Sequence, residues 1–118
     1  MSFSIIDDDG DVIRVRCEGD LANTDSQESD QLEKQLGPER MKRKVLMNLE
    51  TVRFLDSSGI SWLLACHKHL VERGGKLVLH NVPPLVRQPL EFTRLNLVFA
   101  IASDESAARK IACGADHE

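Results

Sequence analysis

The apolar positions change period along the chain, and each change marks an element. A short apolar run, Phe3 to Ile6, ends in Asp7-Asp8-Asp9-Gly10-Asp11. Beyond it Ile13, Val15 and Cys17 alternate with Arg14 and Arg16, the period of a half-buried strand. The two runs predict a hairpin turning at Asp9-Gly10. Asn23-Thr24-Asp25-Ser26 offers helix N-caps. Gln27 to Leu36 predicts a polar helix with few apolar anchors, such as Leu32 and Leu36, lying loosely on the sheet and stopped by Gly37-Pro38.

Val45 to Leu49 lacks alternation, so both its faces should be covered, as in a central parallel strand. Ile60, Leu63, Leu64, His67, Leu70 and Val71 then recur at spacings of three and four, an amphipathic helix ended by Gly74-Gly75. Trp62 falls off that stripe. Leu77 to His80 is another strand, and Pro84 suits the first turn of a helix over Leu85 to Thr93 that Pro89 should kink or delay. Val98 to Ile101 predicts a last strand. Ser103 is placed to cap a final helix bearing Ala107, Ala108, Ile111 and Ala112, with Asp104 and Glu105 in its first turn. The order β-β-α-β-α-β-α-β-α predicts an α/β fold: a mixed sheet, largely parallel, with an N-terminal antiparallel hairpin and about four flanking helices.

A chain of 118 residues, 42% apolar and 29% charged, suits one domain over residues 1–118. The net charge of −4 gives no basic footprint for nucleic acid. No apolar stretch is long enough to span a bilayer and the start lacks a signal-peptide pattern, so the expected location is the cytoplasm. Cys17, Cys66 and Cys113 form no CxxC pair and read as small buried thiols, with neither a metal site nor a disulfide framework. Asp7, Asp9, Asp11 and Glu18 fit part of an EF-hand spacing, but Val12 stands where the loop needs glycine and no helices flank it; the stretch reads as a solvated turn. Arg40, Lys42, Arg43 and Lys44 read as a solvated approach to the next strand.

The candidate chemistry sits in Phe54-Leu55-Asp56-Ser57-Ser58-Gly59-Ile60, between a strand and a helix. Asp56 is suited as N-cap, which makes Ser57 the first helical residue, its hydroxyl beside unpaired amides at the positive end of the dipole. A phosphate there is well placed by the helix and opposed by Asp56. The plain alternative is that Asp56, Ser57 and Ser58 only cap a helix. A nucleophilic Ser57 would need a base; His67 and His69 lie too far along the helix, His80 could approach from a neighbouring strand end, and no GxSxG elbow exists. Catalysis is therefore not the expected role.

The block Asn48-Leu49-Glu50-Thr51-Val52-Arg53-Phe54-Leu55-Asp56-Ser57-Ser58-Gly59-Ile60 resembles the signature of STAS domains of the bacterial anti-sigma factor antagonist family. Gly19-Asp20-Leu21, Gly74-Gly75-Lys76-Leu77-Val78-Leu79 and the late Pro-Leu-Val and Phe-Thr-Arg-Leu-Asn-Leu segments match as well. The resemblance implies that Ser57 is phosphorylated by a partner that is both serine kinase and anti-sigma factor. Unphosphorylated protein binds that partner and frees a sigma factor, phosphorylated protein does not, and a PP2C-type phosphatase restores it. It implies supporting roles for Asp56, Ser58, Gly59 and Asn23, and no cofactor, since ATP belongs to the kinase. Asn23 stands where the family commonly has a second aspartate. Trp62, with Ser61 beside it, reads either as a partner anchor next to Ser57 or as a packing residue. His80 and Asn81 are candidates to touch the phosphate or the partner. The rival within the family is a STAS domain that never carries phosphate: a lipid-transport ATPase subunit, a stressosome-like scaffold or a small-ligand sensor.

Overall fold

A computed structural model of the chain describes residues 2–8, 10, 12–21 and 29–113. Strands β1 (Ser2–Asp8) and β2 (Val12–Glu18) pair antiparallel. Gly10 takes φ +93°, open to glycine at little cost, and its N–H donates to Asp8 Oδ1 at 3.2 Å. The register shifts between Ile5 and Asp7, which leaves Ile6 on an exposed bulge. Asp9, Asp11 and the proposed caps from Asn23 to Ser26 lie outside the described residues.

β2 pairs parallel with β3 (Lys44–Asn48), β3 with β4 (Lys76–His80), and β4 with β5 (Ala100–Ala102). The sheet order is β1-β2-β3-β4-β5, so β3 is central, as its unbroken apolar run requires. Val45, Met47 and Leu49 enter a large core with residues of helices α1 (Ser29–Arg40), α2 (Ser57–Glu72) and α3 (Pro84–Phe92). Leu46 faces the other way, into a smaller core of Val12, Val78, Ala102, Ala108 and Ala112 under helix α4 (Glu105–Ala112). The small alanines of α4 let it lie close to the sheet. Among the described residues there are four α-helices, and none is long and apolar enough to cross a membrane.

Several expectations needed correction. Gly37 does break α1, at φ 79° and ψ 162°, but a further helical turn follows it. Arg40 reaches back to satisfy the broken helix's carbonyls, its Nε donating to Leu36 O at 2.8 Å and Nη2 to Gln35 O at 2.9 Å, and Met41 is buried. α1 packs against α2 and is anchored by Leu36. Arg43, read as solvated, binds Asp8 of the hairpin at 2.5 Å, with Arg40 at 4.0 Å. The hydrogen bond from Arg43, with that from the Gly10 amide, holds the Asp8 carboxyl below its ordinary pKa.

The buried face of α2 is Gly59, Trp62, Leu63, Cys66 and Leu70. The stripe is thus turned from the one expected, and Val71 is exposed. α3 runs through Pro89, which removes only one hydrogen bond from a short helix. β5 begins later than expected because a 3-10 turn, Leu95–Leu97, entered through left-handed Arg94, occupies the preceding residues. Phe99 turns inward and meets His67 edge-on at 5.6 Å. The cap of α4 is Asp104, whose Oδ1 accepts from Ala107 N at 2.8 Å, rather than Ser103. Cys17 and Cys66 are buried, but Cys113, at the end of α4, is exposed.

Candidate functional site

The site grows from the C-terminal ends of the strands. Leaving β3, Leu49 N donates to His80 O at 3.1 Å, Glu50 N to Asn48 Oδ1 at 2.8 Å, and Thr51 Oγ1 to Cys17 O at 2.9 Å. These bonds fold the connection across the ends of β2 and β4. Leu55 then forms a parallel bridge with Leu21: Leu21 N donates to Phe54 O at 2.9 Å and Asp56 N to Leu21 O at 3.1 Å. The segment after β2 is therefore stitched to the residue before the serine pair, two positions short of Asn23, which lies outside the described residues.

Asp56 is the N-cap of α2, with extended backbone. Its Oδ1 accepts from Gly59 N at 3.0 Å and from Ser58 Oγ at 2.5 Å, so Ser58 supports the cap rather than the surface. Ser57 is the first helical residue and exposed, and its hydroxyl makes no hydrogen bond among the described residues. No acidic side chain stands in the first turn of α2, so the amides there oppose only the Asp56 carboxylate.

Gly59 has a requirement of its own. A Cβ there would lie 1.9 Å from Leu21 O. The glycine lets α2 descend onto the bridge, which fixes the height at which Ser57 is presented.

Of the other expected site residues, Ser61 is exposed one turn beyond Ser57 on the same side of the helix. Trp62 is not presented to a partner: it is only 2% exposed and packs against Phe3 with ring centroids 5.8 Å apart. The stripe misled because α2 is covered by helix α1 as well as by the sheet, so its buried face reaches beyond the positions that face the strands. His80 is also buried, 2% exposed, with Nδ1 2.5 Å from Asn81 Oδ1. The amide oxygen can only accept, so this bond requires the Nδ1–H tautomer and occupies the ring inside the strand end. Asn81 is half-buried in the left-handed region at φ 54°, which asparagine tolerates. Phe54, exposed three residues before Ser57, is the neighbour that pattern reading passed over, because it sits among apolar residues that do turn inward. Among the described residues no cluster of His, Cys, Asp and Glu could hold a metal ion, and Asp7 is engaged by Arg14 at 3.4 Å.

The STAS domain family model matches residues 5–108, and the chain belongs to that family. An anti-sigma F factor antagonist of Paenibacillus polymyxa is 28% identical over 97 residues, 80% of each chain. The solved structure of the anti-sigma factor antagonist SpoIIAA in its unphosphorylated form has a TM-score of 0.67 at 23% identity, covering 93% of this chain and 96% of that one. The structure of the Bacillus cell fate determinant SpoIIAA in the phosphorylated form gives 0.62 at 21%, covering 93% and 99%. At those identities the structural likeness is one of fold: the same mixed sheet with an antiparallel first strand and four flanking helices.

Proposed function

We propose that the protein is an anti-sigma factor antagonist whose Ser57 is a phosphorylation switch. Unphosphorylated, it binds an anti-sigma factor that is also a serine kinase; phosphorylated, it releases that partner, and a PP2C-type phosphatase resets it. The observation that carries the reading is the division of labour in the capping turn. Asp56 and Ser58 close the helix between themselves, and Ser57 stands exposed beside them, free of structural duty among the described residues. A phosphoryl group on Ser57 would add about −1.5 to −2 charges. The helix amides would favour it and Asp56 would oppose it, so the backbone is not driven to rearrange. The effect would fall on whatever docks there: a neutral surface with exposed Phe54 becomes an anionic one.

The test is the intact mass of protein recovered from its own cells, before and after phosphatase, for the natural chain and Ser57→Ala. One phosphate lost on phosphatase treatment and missing in the variant is the expected result. A chain that never carries phosphate under growth and stress conditions would be a STAS domain without this switch.

A further inference from the structure

Helix α3 is apolar on two sides. Val86 and Leu90 point into the core. Leu85, Gln88, Pro89 and Phe92 recur at i, i+3, i+4 and i+7 and form a second stripe, broken only by one amide, on the outward side. Of the seven large apolar side chains exposed among the described residues, four belong to the stretch from Leu85 to Val98. Phe92 is 93% exposed, Leu97 79% and Leu85 68%. Single exposed apolar residues are ordinary on a protein surface, but a cluster of this kind marks a contact face.

The stripe has a shape as well as a composition. Leu85, Gln88, Pro89, Phe92 and Thr93 line a notch of about 400 Å³. Four helical residues at this spacing form the hole that receives a side chain of a facing helix in knobs-into-holes packing. Phe92, the most exposed of the apolar side chains, stands on the rim of that same notch. Knob and hole thus lie on one patch, which is what a two-fold interface between identical subunits requires. The middle of the notch falls between Gln88 and Pro89, and Phe92 lies about 5 Å further along the helix axis. Two α3 helices set antiparallel and offset by that length place each Phe92 in the other's notch at once.

Charge selects a second copy over other occupants. The ionisable residues of α3 are Arg87 and Glu91, and they pair with each other, Arg87 Nε lying 3.4 Å from Glu91 Oε2. The helix is therefore neutral in a chain of net charge −4, so two copies meet here without bringing like charge together. A highly charged partner finds nothing on the helix to offset. A helix of nine residues with its following turn offers less than the standard interface of about 800 Å² per partner, so the dimer is a weak one.

We propose that the outward face of α3 is the contact between two copies of this chain in a weak antiparallel dimer, formed independently of Ser57. The test is sedimentation equilibrium of the full chain at concentrations from about 10 µM to about 1 mM. The weight-average mass is expected to rise from that of one chain toward that of two, with concentration-dependent amide NMR shifts confined to residues 84–98. Phe92→Glu and Leu85→Glu should each weaken association by about tenfold or more. Both side chains are exposed, and the amide spectrum of each variant establishes that it is folded. Val71→Gln, which changes an exposed apolar residue of α2, and Ser57→Ala should associate as the natural chain does. A chain that is monomeric at about 1 mM, or a dimer that folded Phe92→Glu and Leu85→Glu leave intact, would overturn the proposal. So would a monomer that floats with vesicles of anionic and zwitterionic phospholipid and loses that property in Phe92→Glu, an outcome that assigns the face to a lipid surface.

Discussion

At the scale of single residues, the site is set by contacts that leave little tolerance. Gly59→Ala must displace either α2 or the Leu21 carbonyl, because 1.9 Å is far inside contact distance. Overpacking of this kind costs about 1–3 kcal/mol, and here both groups belong to backbone, so urea unfolding should show a loss at the upper end of that range. Asp56→Ala removes an acceptor from the Gly59 amide and from Ser58, with an expected loss of about 1–2 kcal/mol. Trp62→Ala is expected to lose about 3–5 kcal/mol by emptying a core position. That outcome separates its packing role from a surface anchor, whose removal would weaken binding while leaving the unfolding midpoint in place.

At the scale of elements, the hairpin and α2 meet through buried thiols. Burial pushes the Cys17 thiol up to about 12 and raises Cys66 as well, the latter also through Cys17 itself. A raised pKa in the folded state gives stability that is complete below the unfolded thiol value and declines as pH rises above it. The unfolded chain then sheds a proton that the folded chain keeps. Between pH 9 and 12 the free energy of unfolding measured with urea should therefore fall, by about 1.5 kcal/mol per buried thiol at pH 10. In Cys17→Ala that slope should be shallower, although the variant starts from a lower stability at neutral pH. The carboxylate that ties the hairpin to the start of β3 works in the opposite sense: Asp8 is held low by Arg43, so its contribution is present above its ordinary pKa and is lost as pH falls below it.

Elements of this kind were largely legible in the sequence. Period-two alternation marked β2, the continuous apolar run marked β3 as central, and the Asp56 cap placed Ser57 as the first residue of α2. What stayed hidden depended on contacts distant in the chain. The burial of Trp62 needs Phe3, the fixing of Arg43 needs Asp8, and the need for Gly59 comes from Leu21. None of these leaves a periodic trace, and the 3-10 turn that delays β5 rests on one left-handed arginine.

At the scale of the whole molecule, the sheet separates two polar edges. Ser57 stands at the C-terminal ends of the strands, and a cleft lined by Lys42, Arg43, Lys44 and Lys76 at the N-terminal ends, with the cores between them. Phosphorylation would shift the net charge from −4 to about −6 while touching no buried group. The phosphorylated protein should accordingly unfold within a few degrees of the unmodified one, and its amide shifts should change around the start of α2 and the Leu21 bridge only. Partner binding is the property expected to change, by tenfold or more. The two ways of losing it differ in salt dependence. Repulsion between the phosphate and an acidic docking face weakens as the Debye length shrinks from about 10 Å at 0.1 M to about 3 Å at 1 M salt. Calorimetric titration of the proposed anti-sigma factor partner at both salt concentrations should therefore show the gap between phosphorylated and unmodified protein narrowing. A gap that stays constant would mean that charge repulsion is not what separates the two forms, and amide shifts extending beyond the start of α2 would then show that the phosphate reshapes the turn.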